Sequence, residues 1–385
     1  MSRLLPLGWL QLKHQKLRLL AAIVGIAFAV ILITVQLEFS EALSVSAVRY
    51  HSGMDYELVM VSPKTTYLVS TKQFPRSRLY QAPGFKGVTG VTPVYTQQGS
   101  WRNPADRTSA RNIFVVGFNP SDRGFARLLT TEQHDLIKLR DRIIFDQRGR
   151  PEYGPVAALF ESNGPYEVDI NDRMPILAGL YSLGTSFGLD GGVITSDLNF
   201  LRAFPKRDKS AIDIGLIHLD ADADLQAVKQ ELIAGVPEDV RVLTREEFKA
   251  QEINHWSKTT PVGYMFTFGA IMGLVVGFII VYQILFADVQ DHVGEYATLK
   301  AMGYTHGYLR GVVLQQSVVL AVLGFIPGIA ISILVFGKAA EATGLPLAMD
   351  QRSAGFLFLL TLFMCAASGL LALRKLRSID PAEVF

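Results

Sequence analysis

The sequence predicts a membrane α-helical protein with four transmembrane helices and a large α+β extracytoplasmic domain between helices 1 and 2. Three observations carry this. The chain has 385 residues, 49% of them hydrophobic, and its mean hydropathy is +0.26. The apolar excess is gathered into four runs, at residues 19–35, 262–287, 311–336 and 354–373, and none of them contains an acidic or basic residue. Most of the polar remainder lies in one block between the first and second runs.

Each run is long enough to span a hydrocarbon core roughly 30 Å thick. A charge at the centre of such a helix would cost about 2.5–3.5 kcal/mol, so uninterrupted runs are a specific signal. Arg3, Lys13, Lys16 and Arg18 precede the first run, and Arg374, Lys375 and Arg377 follow the last. Positive charge stays inside, which places both termini in the cytoplasm and requires an even number of crossings. The expected layout is a cytoplasmic interfacial helix over 1–18 and helix 1 over 19–39, then the outer α+β domain over 40–258. Helix 2 follows over 262–287, a cytoplasmic loop over 288–310, and helix 3 over 311–336. A short outer loop over 337–353, helix 4 over 354–373 and a cytoplasmic tail over 374–385 complete it. A cleaved signal needs a short apolar run and a small-residue site. Gln36, Glu38 and Glu41 follow the first run instead, so it reads as an uncleaved helix.

Within the outer domain, strand-like stretches occur at 56–61, 91–95, 113–117, 156–160 and 212–219, broken by Pro and Gly. A helix is expected over 223–234, a strand over 240–243, and a helix from Arg245 towards Trp256 that feeds directly into helix 2. Residues 119–195 are rich in Gly, Pro and charge and read as an inserted subdomain. Asp220, Asp222, Asp224 and Glu231 echo a calcium loop, but Leu225 stands where that loop needs its glycine. Helix capping by Asp222, with Asp224 at the positive helix end, accounts for the same residues.

Gly269, Gly273 and Gly277 are spaced by four in helix 2 and open a groove for close approach of another helix. Gly324 and Gly328 flank Pro327 in helix 3, where a kink can be structural or functional. Gln315, Gln316 and Ser317 are expected to face other helices rather than lipid. The single cysteine, Cys365, forms no internal disulfide, and the seven histidines are scattered. No phosphate-cradling G-x-x-x-x-G-K-[ST], G-x-S-x-G or H-E-x-x-H appears. No basic block with interleaved aromatics suggests nucleic acid. The expectation is a chain that is not an enzyme and holds no cofactor or metal. The polar loop at 288–310 is longer than a hairpin requires, and it reads as the surface on which a cytoplasmic motor pushes.

Three stretches resemble a known family. Glu295-Tyr296-Ala297-Thr298-Leu299-Lys300-Ala301-Met302-Gly303 is similar to the E-I-A-x-L-K-A-x-G stretch of FtsX/MacB-type (type VII) ABC permeases. Asp291 and His292 stand where that family often has a basic pair. Residues 377–383 resemble its closing R-x-x-D-P-A-E, and the N-terminal L-G-W-L-Q-L with Lys16, Arg18, 25–29 and Gln36 resembles the DevC branch. The one-helix, domain, three-helix layout agrees. The resemblance implies a homodimeric inner-membrane permease that transmits motion mechanically, with ATP bound by a separate cytoplasmic ABC ATPase dimer. Asp291, Glu295, Ala297, Leu299, Lys300, Ala301 and Gly303 would form the ATPase-coupling site. The DevC likeness further implies a periplasmic adaptor, a TolC-like outer-membrane duct and a glycolipid or other hydrophobic cargo. The same architecture can instead regulate a periplasmic cell-wall hydrolase, as FtsX-like mechanotransmitters do.

Overall fold

The computed structural model describes residues 16–343, 347 and 349–376. Among these, four helices are long and apolar enough to cross a membrane: Lys16–Ala47, Pro261–Asp291, His306–Thr343 and Gln351–Leu376. Each extends past its apolar run, because intrahelical hydrogen bonds continue into polar flanks once the helix is nucleated. The interfacial helix expected over 1–18 falls outside the described residues up to residue 15, and the closing 377–383 motif lies outside them as well. Lys16 and Arg18 belong to the first long helix.

The chain divides into a unit built from the long helices and an α/β unit spanning Leu43–Thr260. The helical unit has a core drawn from all four helices, with Ile26, Ala29 and Val30 meeting Val281, Leu285, Leu320, Met364 and Cys365. Its outward residues, such as Phe268, Ile271, Leu334 and Phe363, are exposed as lipid-facing positions should be.

The α/β unit is organised on strands β1 (Leu58–Val61), β2 (Phe74–Pro75), β3 (Val88–Arg102), β4 (Ala110–Phe118), β5 (Arg142–Asp146) and β6 (Tyr166–Glu167). β7 (Asp169–Ile170), β8 (Ile176–Tyr181), β9 (Gly192–Ser196), β10 (Ala211–Ile212), β11 (Ile214–Leu219) and β12 (Arg241–Thr244) follow. One mixed sheet runs β12-β1-β11-β3-β4-β9-β5-β8-β6, with β7 added on β3 and the β10-β2 pair separate. β4–β9 and β5–β8 are parallel. Side-chain alternation divides each strand between two cores. Leu58 and Met60 join Trp101, Val115 and Phe145 on one face, while Val59 and Val61 join Phe114, Val116 and Ile194 on the other. Helix Leu225–Gly235 covers the first face through Val228 and Leu232, and helix Arg245–Asn254 covers the second through Phe248.

Four expectations are corrected. Residues 119–195 do not close on themselves as an inserted subdomain; they supply β5 to β9 of the common sheet. The stretch expected as a strand at 156–160 is helix Val156–Asn163, bounded by Pro155 and by Gly164 at φ 70°. Its Val-Ala-Ala-Leu run has no period of two, and alanine favours the helix. Asp224, rather than Asp222, caps helix Leu225–Gly235, its carboxylate accepting from the amides of Gln226 at 2.9 Å and Ala227 at 3.2 Å. Finally, helix Arg245–Asn254 does not continue into the second long helix. A π turn over His255–Thr259 follows it, and Thr260 is extended at φ −90°, ψ 151°. Pro261 enforces this break, because its ring excludes helical backbone at the preceding residue. The first long helix, by contrast, runs unbroken to Ala47.

Candidate coupling site

The polar stretch between the second and third long helices folds into a short helix, Val293–Ala301. Glu295 lies in its first turn, where a carboxylate complements the positive helix end. Gly303, at φ 91°, ends it. The Tyr304 amide donates back to the Leu299 carbonyl at 3.1 Å, the six-to-one bond of a glycine-terminated helix. The run from glutamate to glycine is thus one helix with its own stop signal.

One side of this helix is seated. Tyr296 is buried at 3% exposure and packs with Val289 and Val313, and Leu299, Leu309 and Leu373 close around them. The seat therefore draws on the ends of the second, third and fourth long helices. Burial pushes the Tyr296 phenol up, so it stays protonated. Just below, buried Gln316 donates through Nε2 to Asp288 Oδ2 at 2.9 Å, and His292 Nδ1 lies 2.8 Å from the Asp288 carbonyl oxygen. These bonds join the second helix to the third and fix the entry to the short helix. The other side is open: Glu295, Thr298, Met302, Gly303 and Tyr304 are exposed.

The sequence-predicted residues separate accordingly. Glu295 and Gly303 lie on the exposed side or end, Ala297 and Leu299 are half-buried, and Leu299 packs into the seat. Lys300 and Ala301 form the last turn of the helix. Asp291 pairs with Arg18 at the start of the first long helix, so it ties two helices together. Tyr296, Asp288 and Gln316 were not marked as a set by sequence reasoning. An aromatic residue inside an otherwise polar stretch was the available signal for the first of them.

Gly269, Gly273 and Gly277 all face the first long helix. A Cβ added at Gly269 would meet Gln36 at 2.5 Å, at Gly273 Ile33 at 3.0 Å, and at Gly277 both Ala29 at 2.5 Å and Met364 at 2.7 Å. Gly324 and Gly328 face the same helix, meeting Ile26 at 2.5 Å and Val30 at 2.9 Å. The first helix is thus gripped by glycine faces of two neighbours.

At Gly303 an alanine would have to adopt a left-handed backbone, costing about 1–2 kcal/mol. Gly303→Ala is expected to fray the last turn, so that amides 299–301 exchange hydrogen about tenfold faster. Unchanged exchange in the full chain would show that the turn does not depend on the glycine.

Four membrane-length helices and a large α/β unit define a multi-pass membrane protein. Within it, residues 267–381 match the family of FtsX-like permease C-terminal domains. That stretch holds the short helix, its seat and most of the second, third and fourth long helices. No curated protein matches the chain. Among solved structures, the periplasmic region of MacB from Actinobacillus actinomycetemcomitans is similar with a TM-score of 0.36 at 12% identity, covering 52% of this chain and 94% of that one. The extracellular domain of the noncanonic ABC-type transporter YknZ from Gram-positive bacteria gives 0.34 at 14% identity, covering 49% and 100%.

Proposed function

We propose that this chain is the permease subunit of an ABC exporter and works as a lever rather than a channel. The observation that carries the reading is the short helix Val293–Ala301, seated on three long helices with its opposite side open, inside the stretch that matches FtsX-like permeases. A cytoplasmic ABC ATPase dimer binds the open side and displaces it when ATP closes the dimer. Two permease copies act together in the inner membrane, with both termini in the cytoplasm and the α/β domain in the periplasm.

The path of the push follows from where the helices are continuous. The proline break at Thr260–Pro261 makes the second helix a poor strut into the α/β domain. The first helix has no such break. Motion of the short helix passes to the second helix, across the glycine groove to the first, and along the first to the α/β domain. Interdigitated helices transmit such a shift because close packing leaves few intermediate arrangements. The moved domain then drives a glycolipid or other hydrophobic cargo into a periplasmic adaptor and a TolC-like duct.

Charge reversal tests the first step. Glu295→Lys should lower recovery of the ATPase with the purified chain about tenfold, equivalent to 1.4 kcal/mol. Equal recovery from wild type and variant would contradict this assignment of the coupling surface. An adaptor recovered with the complex supports export, and a cell-wall hydrolase in its place would replace export by regulation.

A further inference from the structure

Both chain connections of the α/β unit meet at one buried carboxylate. Glu252 lies on helix Arg245–Asn254 and is 3% exposed. Its Oε1 accepts from the Trp256 indole N–H at 2.9 Å. Its Oε2 accepts from the Leu68 amide at 2.8 Å and lies 3.3 Å from His51 Nε2. His51 is fully buried on the short helix Arg49–Gly53, which follows the first long helix almost directly. Trp256 lies in the π turn that precedes the second. A buried carboxyl group is an expensive arrangement unless its acceptors are filled. Here they are filled by donors from three separate segments, so moving any one of them leaves the charge under-satisfied.

The same two connections also hold one loop. Residues 182–191 join β8 to β9. Arg49 donates to the Thr185 carbonyl at 2.6 Å. The Trp256 ring presses on Gly188, where an added Cβ would lie 2.6 Å from Cζ2. From the sheet side, Asp146 at the end of β5 accepts from the amides of Leu183 at 3.0 Å and Gly184 at 2.8 Å. A π turn in an otherwise α-helical path often marks a functional position. This one carries the residue that touches both the carboxylate and the loop.

We propose that Glu252 and Trp256 are positioning residues of a relay that delivers motion arriving along the first long helix, through His51, to the 182–191 loop and so to β5, β8 and β9. The relay rests on the ATP-driven reading above and names the route inside the α/β domain. A bond network that links segments far apart in sequence transmits a shift only if it moves between discrete arrangements. Glu252 binds partners from three segments through its two oxygens, so a rearrangement at any one of them is felt by the other two.

The test is hydrogen exchange on the full chain, bound to its ATPase in lipid nanodiscs, with and without a non-hydrolysable ATP analogue. In the wild type the nucleotide should change exchange at both 293–301 and 183–188, the latter about tenfold. Trp256→Phe keeps an aromatic ring but removes the N–H, and Glu252→Gln keeps the shape but loses an acceptor. In either variant the response at 293–301 should persist while that at 183–188 falls below about twofold. Combining the two should add nothing further, as expected for partners in one network. A purely structural role would leave the nucleotide response intact at both places. A wild-type-sized response at 183–188 in Trp256→Phe therefore overturns the relay. A wild type that does not respond at 293–301 overturns the coupling reading, and the relay with it.

Discussion

Gly277→Leu is expected to disassemble the helical unit. The backbone there approaches the first and fourth helices so closely that even a Cβ would lie 2.5 Å from that of Ala29 and 2.7 Å from the Met364 sulfur. Extra methylenes in a filled core cost typically about 1–3 kcal/mol and more where the backbone must move. Three further carbons at this crossing must push the second helix away from the first, so the loss falls at the upper end or beyond. The full chain in detergent should melt at markedly lower temperature and elute as aggregate. Gly337→Leu is the control: nothing lies within 4 Å of its Cβ position, and melting should not fall, since leucine favours the helix over glycine. In the lever account Gly277→Leu also separates ATP hydrolysis from movement of the α/β domain, because the groove is where the push changes helix.

Asp213→Ala should be the most damaging single change in the α/β unit. Asp213 accepts from the Thr96 amide at 2.7 Å and pairs with Arg207, and both side chains are 3% exposed. Arg207 donates to the Thr96 carbonyl at 3.1 Å and lies over the rings of Tyr95 and Phe200, at 5.5 and 5.3 Å. Burial pushes the Asp213 carboxyl up, and the guanidinium offsets this only in part. Removing one member of a buried pair leaves the other charge uncompensated, which costs about 3–5 kcal/mol. For a domain of this size that corresponds to a fall in melting temperature on the order of 10 °C. Asp213→Asn retains an acceptor for Thr96 and should lose less. A melting temperature unchanged in Asp213→Ala would mean that Arg207 finds water or another partner.

How far the fold could be read ahead of the structure depended on the range of the interactions involved. The four long helices were legible because a bilayer tolerates no charge in their centres, a local property of each run. β1 and β11 were legible because their apolar residues are continuous and bounded. β5 and β9 were not: Arg142–Asp146 and Gly192–Ser196 are five-residue strands amid glycine and charge. β5 pairs in parallel with β8 and β9 in parallel with β4, and β5 meets β9 antiparallel across a long connection; none of these pairings is a local hairpin, so turn chemistry could not announce them. The break before the second helix was written locally, in Thr260–Pro261, and the continuous-helix expectation passed over that proline.

The candidate site divides in the same way. The polar loop was legible as longer than a hairpin requires, and the structure places a short helix with a glycine end in it. Its seat required Val289, Val313 and Leu373, which no spacing rule brings together with Tyr296. The Glu252 cluster was hidden for the same reason. Two of its partners, His51 and Leu68, lie 201 and 184 residues away along the chain, and only Trp256, four residues on, was within local reach.

The central claim is that the short helix is where an ATPase pushes. Site-specific photo-crosslinking in native membranes tests it most directly, with the reactive group at Met302, which is 63% exposed beside the helix end, or at Leu198, 63% exposed in the α/β unit. The account predicts a covalent adduct with the ATPase from position 302 and none from 198. An adduct from 198, with 302 silent, would place the α/β unit on the motor's side of the membrane and contradict the lever altogether.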